Sequence, residues 1–283
     1  MTKIPEHGTI NILDTYVHTL GRSHTNKIKE IKTMRIYLEA DYAAMSKRAA
    51  NIIAAEVIKK PDCVLGLATG STPIATYKGL IEKYNNGEIS FKEVKSVNLD
   101  EYKGLAGTHD QSYRYFMQEN LFKHIDIDVA NTNVPNGLAE DAEAECANYD
   151  TLVASLGYAD IQLLGLGNNG HIGFNEPDAY FTKETHVVDL TQSTIDANAR
   201  FFETIDDVPR QALTMGVGCI MAARRVLLIA SGEAKADALY KMICGPITPD
   251  CPASILQLHP DVVVIGDTAS LSKVVEAGVK VCE

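Results

Sequence analysis

From Met34 onward, short uninterrupted apolar runs alternate with stretches in which apolar residues recur every three or four positions. The first kind marks buried strands and the second amphipathic helices. Ile36-Tyr37-Leu38 predicts a strand, and residues 41–59 (DYAAMSKRAANIIAAEVIK) predict a helix. CVLGLA (63–68) is a strand, and Pro73 opens a helix continuing through TPIATYKGLIEKYN. VKSVNLDEY (94–102) predicts one strand, and residues 112–125 and 141–157 predict helices. DIQLLGLG (160–167) and HVVDLT (186–191) are strands. QALTMGVGCIMAA (211–223) predicts a helix, RVLLIASG (225–232) a strand and EAKADALYKMIC (233–244) a helix. SILQLH is a short helix and DVVVIGD closes the pattern as a strand. Such alternation predicts a three-layer α/β fold, Rossmann-like and doubly wound, with a mostly parallel sheet and helices on both faces. Residues 34–283 show no linker and are expected to form a single domain. Residues 1–33 lack sustained periodicity and predict a weakly ordered N-terminal extension. A translation start at Met34 is the favoured explanation of that extension.

Charge narrows the partners. Lys and Arg total 26 against 37 Asp and Glu, a formal net charge of −11. That argues against a chain built for nucleic acid or an acidic membrane surface. An anionic small molecule remains compatible, because a pocket can be cationic in an acidic protein. The 6 cysteines have no CxxC spacing and read as reduced thiols. With no apolar run long enough to span a bilayer and no signal-peptide core, the reading is cytoplasmic, with no membrane partner.

Ligands of open α/β sheets bind beyond the carboxyl ends of the strands. Four polar clusters fall there. Thr69-Gly70-Ser71-Thr72 joins a strand to a helix, and its backbone N–H groups form either an anion site or an ordinary capped turn. It is neither GxxxxGK[ST] nor GxGxxG, which disfavours nucleotide cofactors. Asp100-Glu101-Tyr102 ends a strand, where a carboxylate can act as a base or simply be solvated. Gly167–Pro177 (GNNGHIGFNEP) places His171 five residues from Glu176 on a glycine- and asparagine-rich loop. A carboxylate-oriented His moves protons near neutral pH, whereas no second His stands at metal-ligand spacing. Arg200 and Lys235 supply positive charge. Lys235, in the first turn of a helix, opposes the macrodipole. Arg200 can chelate a phosphate or form a salt bridge. Together these groups suit proton transfer beside the carbonyl of a phosphorylated sugar.

LGLATGSTPIATYKGL, VNLDEYKGL, LLGLGNNGHIGFNEP, ANARFF and QALTMGVG together carry a resemblance. From about Met34 to the closing strand, the chain resembles the isomerising glucosamine-6-phosphate deaminases of the glucosamine/galactosamine-6-phosphate isomerase family. The sister 6-phosphogluconolactonases depart from LDEY and FNEP. The resemblance implies conversion of glucosamine 6-phosphate and water to fructose 6-phosphate and ammonia. It implies that His171 assists ring opening, that Glu176 holds His171, and that Asp100 carries the C2 proton to C1. Thr69, Gly70, Ser71, Thr72, Arg200 and Lys235 would hold the 6-phosphate, with no cofactor and no metal. A lactonase-like hydrolase and a non-catalytic sugar-phosphate sensor are the alternatives. A sensor that regulates transcription would carry a helix-turn-helix, for which residues 1–33 are too short and irregular.

Two departures from the hexameric members matter. Asn169 stands where they carry an aspartate, so it can orient the imidazole but adds no charge. Their allosteric phosphate contacts map onto Ala179, Tyr180, His186 and Val188, which do not reproduce them. The expectation is a monomer or small homo-oligomer with weak or no allosteric activation. Added N-acetylglucosamine 6-phosphate should leave the rate of ammonia release nearly unchanged, and a large rise would refute this.

Overall fold

Where every residue of a strand is buried, both faces of its sheet must be covered. That pattern holds for Val64–Leu67, Ile161–Leu164, Val226–Ala230 and Val262–Asp267. The computed structural model describes residues 34–192, 195, 202 and 204–282, so the extension 1–33 and Arg200 lie outside the described residues. Thr33–Glu283 form one compact unit. Its strands are β1 (Met34–Glu39), β2 (Val64–Leu67), β3 (Lys95–Asn98), β4 (Asp100–Tyr102), β5 (Thr132–Asn133), β6 (Ile161–Leu164), β7 (His186–Asp189), β8 (Gln211–Thr214), β9 (Val226–Ala230) and β10 (Val262–Asp267). Seven of them form an all-parallel sheet in the order β1-β10-β9-β6-β2-β3-β5. The other three, β4-β8-β7, form a small antiparallel sheet.

The helices follow their sequence signals. Asp41 caps α1 (Tyr42–Lys59) by accepting from Ala44 N at 2.8 Å. α2 (Ile74–Asn85) begins directly after Pro73. Ser112 and Asp141 cap α3 (Tyr113–Asn120) and α4 (Ala142–Ser155) in the same way as Asp41. Further along lie α5 (Val217–Ala222), α6 (Ala236–Cys244) and α7 (Ser272–Glu276), and Pro252–Leu258 is a 3₁₀ segment. Among the described residues, no helix is long and apolar enough to cross a membrane.

After β2 the chain winds outward through β3 and β5. It then returns to β6 on the other side of β2 and proceeds to β9 and β10. The crevice between β2 and β6 is therefore the topological switch point. Two tyrosines close the sheet there. Tyr77 OH donates to Ala68 O at 2.5 Å and accepts from Ala68 N, while Tyr149 OH donates to Asn98 O at 2.7 Å and accepts from Asn98 N. Each buried phenol takes over as donor and acceptor where a strand runs out of partners.

Two expectations are corrected. VKSVNLDEY is not one strand: β3 ends at Asn98, and Asp100–Tyr102 leaves the main sheet to pair antiparallel with β8. Residues 211–223 are not one helix: Gln211–Thr214 is the central strand of the small sheet, and only Val217–Ala222 is helical. Strand pairing on both sides overrides the helical spacing. Gly216, extended at φ −71 and ψ 166, breaks the two apart. A Cβ at Gly216 would stand 2.2 Å from Glu184 O and 2.4 Å from Lys183 O. Gly216→Ala should therefore destabilise the fold by about 1–3 kcal/mol, as overpacking against fixed backbone does. Chemical denaturation of the variant measures it.

Candidate active site

Glu101 and Asp100 are adjacent carboxylates with different fates. Glu101 accepts the backbone N–H groups of Tyr102 (2.8 Å), Tyr113 (2.9 Å) and Arg114 (3.0 Å). Its oxygens are spent in anchoring the start of α3 to β4. Asp100 is 6% exposed, and among the described residues its carboxyl makes no hydrogen bond. Burial, with a smaller contribution from the Glu101 charge, pushes the Asp100 pKa up to about 8. A carboxyl group poised near neutral pH at the carboxyl edge of a sheet is suited to act as a base.

The loop after β6 lies over this group. Gly173, at φ +59, turns it so tightly that a Cβ there would stand 3.1 Å from Thr214 Oγ1 and 3.6 Å from Asp100 Oδ2. Thr214 is the register partner of Asp100, and its hydroxyl accepts from Phe174 N at 3.0 Å. The same loop folds His171 back on itself. The imidazole occupies the space beside Gly167, where a Cβ would meet ring atoms at 2.3–2.5 Å. His171 Nδ1 lies 3.2 Å from Glu176 Oε1, a charge contact off the line of an aligned hydrogen bond. Such contacts commonly tighten only when substrate is bound. Asn169 does not touch the imidazole. Its Nδ2 donates to Glu176 Oε2 at 2.6 Å, and its Oδ1 accepts from His171 N at 3.2 Å. Asn169 thus orients the carboxylate that faces the histidine.

The loop after β2 flanks the other side of the crevice. Gly70 adopts φ +90, open to glycine without strain. Tyr42 OH reaches the carbonyls of Ser71 (3.1 Å) and Thr72 (3.0 Å) and accepts from Ala75 N. With the carbonyls held inward, the N–H groups of Gly70, Ser71 and Thr72 have no partner among the described residues. Tyr113 OH, nearby, lies 3.4 Å from Tyr102 OH. Lys235 follows β9, two strand spacings or about 10 Å from β2. It is half-buried, and its ammonium group makes no ion pair or hydrogen bond among the described residues. Burial lowers its pKa. Its loop is held by Asp267, which accepts from Ser231 Oγ (2.5 Å), Gly232 N and Ser270 N. Free amides at a strand end and a lysine at the same sheet edge are groups of the kind that bind anions.

Thr69–Thr72, Asp100, Asn169, His171, Glu176 and Lys235 thus all lie at the carboxyl edge of the sheet. Sequence reasoning missed the supports: Tyr42, Tyr113, Thr214 and Asp267. None carries a local signal, since each acts on a loop distant in sequence. Among the described residues, no group of three or more His, Cys, Asp or Glu could hold a metal ion.

Comparisons with known proteins place the chain in a family. The model of the glucosamine-6-phosphate isomerase/6-phosphogluconolactonase family matches residues 39–265. A glucosamine-6-phosphate deaminase of Lachnoclostridium phytofermentans is 62% identical over 232 residues, 82% of this chain and 98% of that protein. One from Clostridioides difficile is 55% identical over 240 residues, 85% and 96% of the two chains. The solved structure of a monomeric glucosamine-6-phosphate deaminase superposes with a TM-score of 0.82 at 48% identity, over 85% of this chain and all of that one. The 6-phosphogluconolactonase of Thermotoga maritima, at 19% identity and a TM-score of 0.67 over 83% of this chain and all of that one, shares the fold alone. By its family match, its high-identity relatives and the fold that carries these residues, the chain belongs to the glucosamine-6-phosphate isomerase/6-phosphogluconolactonase family.

Proposed function

We propose that this protein is an isomerising deaminase that converts glucosamine 6-phosphate and water to fructose 6-phosphate and ammonia. The observation that carries the reading is Asp100, a buried carboxyl without a hydrogen-bond partner beside the His171–Glu176–Asn169 set. The deaminase relatives at 55–62% identity support it, whereas the lactonase likeness lies near 19%. The 6-phosphate sits on the amides and hydroxyls of Thr69–Thr72 and on Lys235, with Arg200 as a further cation. His171, held by Glu176, exchanges a proton with the ring oxygen as the pyranose opens. Asp100 removes the C2 proton and returns it at C1. Water then adds at C2 and ammonia leaves, giving the ketose. Residues 34–283 make up the catalytic domain. The monomeric structural relative and the altered residues Ala179, Tyr180, His186 and Val188 support a monomer or small oligomer. The setting is amino-sugar catabolism in the cytoplasm.

A base must be ionised to act, so kcat/KM should rise with pH through roughly 8, where Asp100 loses its proton. Asp100→Asn should cut ammonia release from glucosamine 6-phosphate by about 10²-fold or more. The same substitution should stabilise the fold. A carboxyl whose folded pKa is raised contributes stability below its unfolded pKa, and loses it as pH rises through the folded value. The melting-temperature advantage of Asp100→Asn should therefore grow from about pH 4 to pH 8 and level off above. Equal ammonia release by parent and variant would remove Asp100 from the mechanism. A folded parent that releases none would refute the proposed reaction.

Lys235→Ala removes an anion contact made alike in ground and transition states. It should raise KM by roughly 10–100-fold, the worth of one charge-assisted hydrogen bond, with kcat little changed. Steady-state kinetics with glucosamine 6-phosphate test this.

A further inference from the structure

The two halves of the site come from different sheets. Asp100 belongs to the small antiparallel sheet, whereas His171 and Glu176 ride on the loop that follows β6 of the large one. Their spacing therefore depends on whatever ties that loop to the small sheet. Asn175 is that tie. It is 6% exposed, and its Nδ2 donates to Ile172 O at 2.8 Å within the loop and to Met215 O at 2.9 Å beyond the end of β8. Met215 N in turn donates to Leu99 O at 2.7 Å, at the peptide that leads into Asp100. One amide thus closes a path from the His171 loop to the backbone beside Asp100. The orientation of the amide is unambiguous, because both of its near neighbours are carbonyl oxygens and only an NH₂ group can sit between them. Asn175 Oδ1 is buried and has no hydrogen-bond partner. An amide kept in place with its acceptor unsatisfied is there for its two donors.

We infer that Asn175 is a positioning residue, whose paired donation to Ile172 O and Met215 O sets the distance between Asp100 and the His171–Glu176 pair and keeps water from the space between them. The inference rests on the proposed deaminase reaction. Asn175 touches no part of the Thr69–Thr72 loop or Lys235 in the recorded hydrogen bonds, so its role bears on proton transfer and leaves phosphate binding alone. Glu101, on its own strand, is the titratable group that acts on Asp100, and the Asp100 charge in turn acts on the phenols of Tyr102, Tyr113 and Tyr149. Asn175→Ala alters none of them and changes only the access of water to Asp100, whereas Asn175→Asp also adds a carboxyl to the loop.

The experiment is steady-state ammonia release from glucosamine 6-phosphate across pH by the parent, Asn175→Ala and the isosteric Asn175→Asp, whose carboxylate cannot donate to either carbonyl. Both variants should lose about 10²-fold in kcat, the scale of an ångström-level misplacement. KM should stay within about threefold of the parent. The acidic limb of kcat/KM should move down by a pH unit or more in Asn175→Ala, as water reaches Asp100 and its burial is relieved. A merely structural role would lower the yield of folded enzyme and leave that limb where it is, and this result overturns the inference. So does parent-like kcat in either variant. If Asn175→Ala does not fold, the kcat and KM of Asn175→Asp decide by the same criteria. An inactive parent overturns the deaminase reading and the inference together, whereas an active parent with unaffected variants overturns the inference alone.

Discussion

A carboxyl group held out of water with no hydrogen bond to compensate it is the constraint around which the crevice is arranged. Asp100 reaches that state because the chain leaves the main sheet at Leu99 and pairs with β8, so the side chain is covered by the loop after β6. Its neighbour Glu101 shows the opposite treatment. Three backbone donors hold it, and they lower the pKa that burial would otherwise raise further. Two acidic residues side by side thus differ in that one is tied into the backbone by hydrogen bonds and the other is not. A group in the condition of Asp100 costs folding free energy, which is a common feature of active sites.

The other candidate groups are held by neighbouring side chains. Tyr42 turns two carbonyls of the Ser71–Thr72 segment away, which leaves three amides free for an anion. Asp267 fixes the loop that carries Lys235, and Asn169 fixes the carboxylate opposite His171. In each case a loop that would be mobile by composition is tied at a few points to a rigid strand end. Small antiparallel and large parallel sheets meet at this place, and the small one brings its own apolar cluster of Tyr102, Phe174, Leu190, Ile195, Val208 and Ala212. Tyr102 packs against Tyr113 at 4.8 Å between centroids with the rings tilted, so the aromatic cluster also braces the start of α3. Packing of the second sheet and geometry of the first site are therefore coupled.

The alternation of apolar runs and helical spacing was enough to identify the parallel sheet, most of the helices and the strand ends where polar clusters gather. Those signals are local: period, capping chemistry and glycine all act within a few residues. The order of the strands, the break at Leu99 and the strand at Gln211–Thr214 were not readable, because pairing with a segment more than a hundred residues away overrides the local spacing. The chemistry divides along the same line. Residue types alone marked His171, Glu176 and Asp100 as candidates and Thr69–Thr72 as an anion loop. Only the tertiary structure decided that Asp100 rather than Glu101 is free, that Asn169 serves the carboxylate rather than the imidazole, and that Tyr42, Thr214, Asn175 and Asp267 hold the parts in place. Burial and hydrogen-bond partners are properties of the packed chain, and no stretch of sequence contains them.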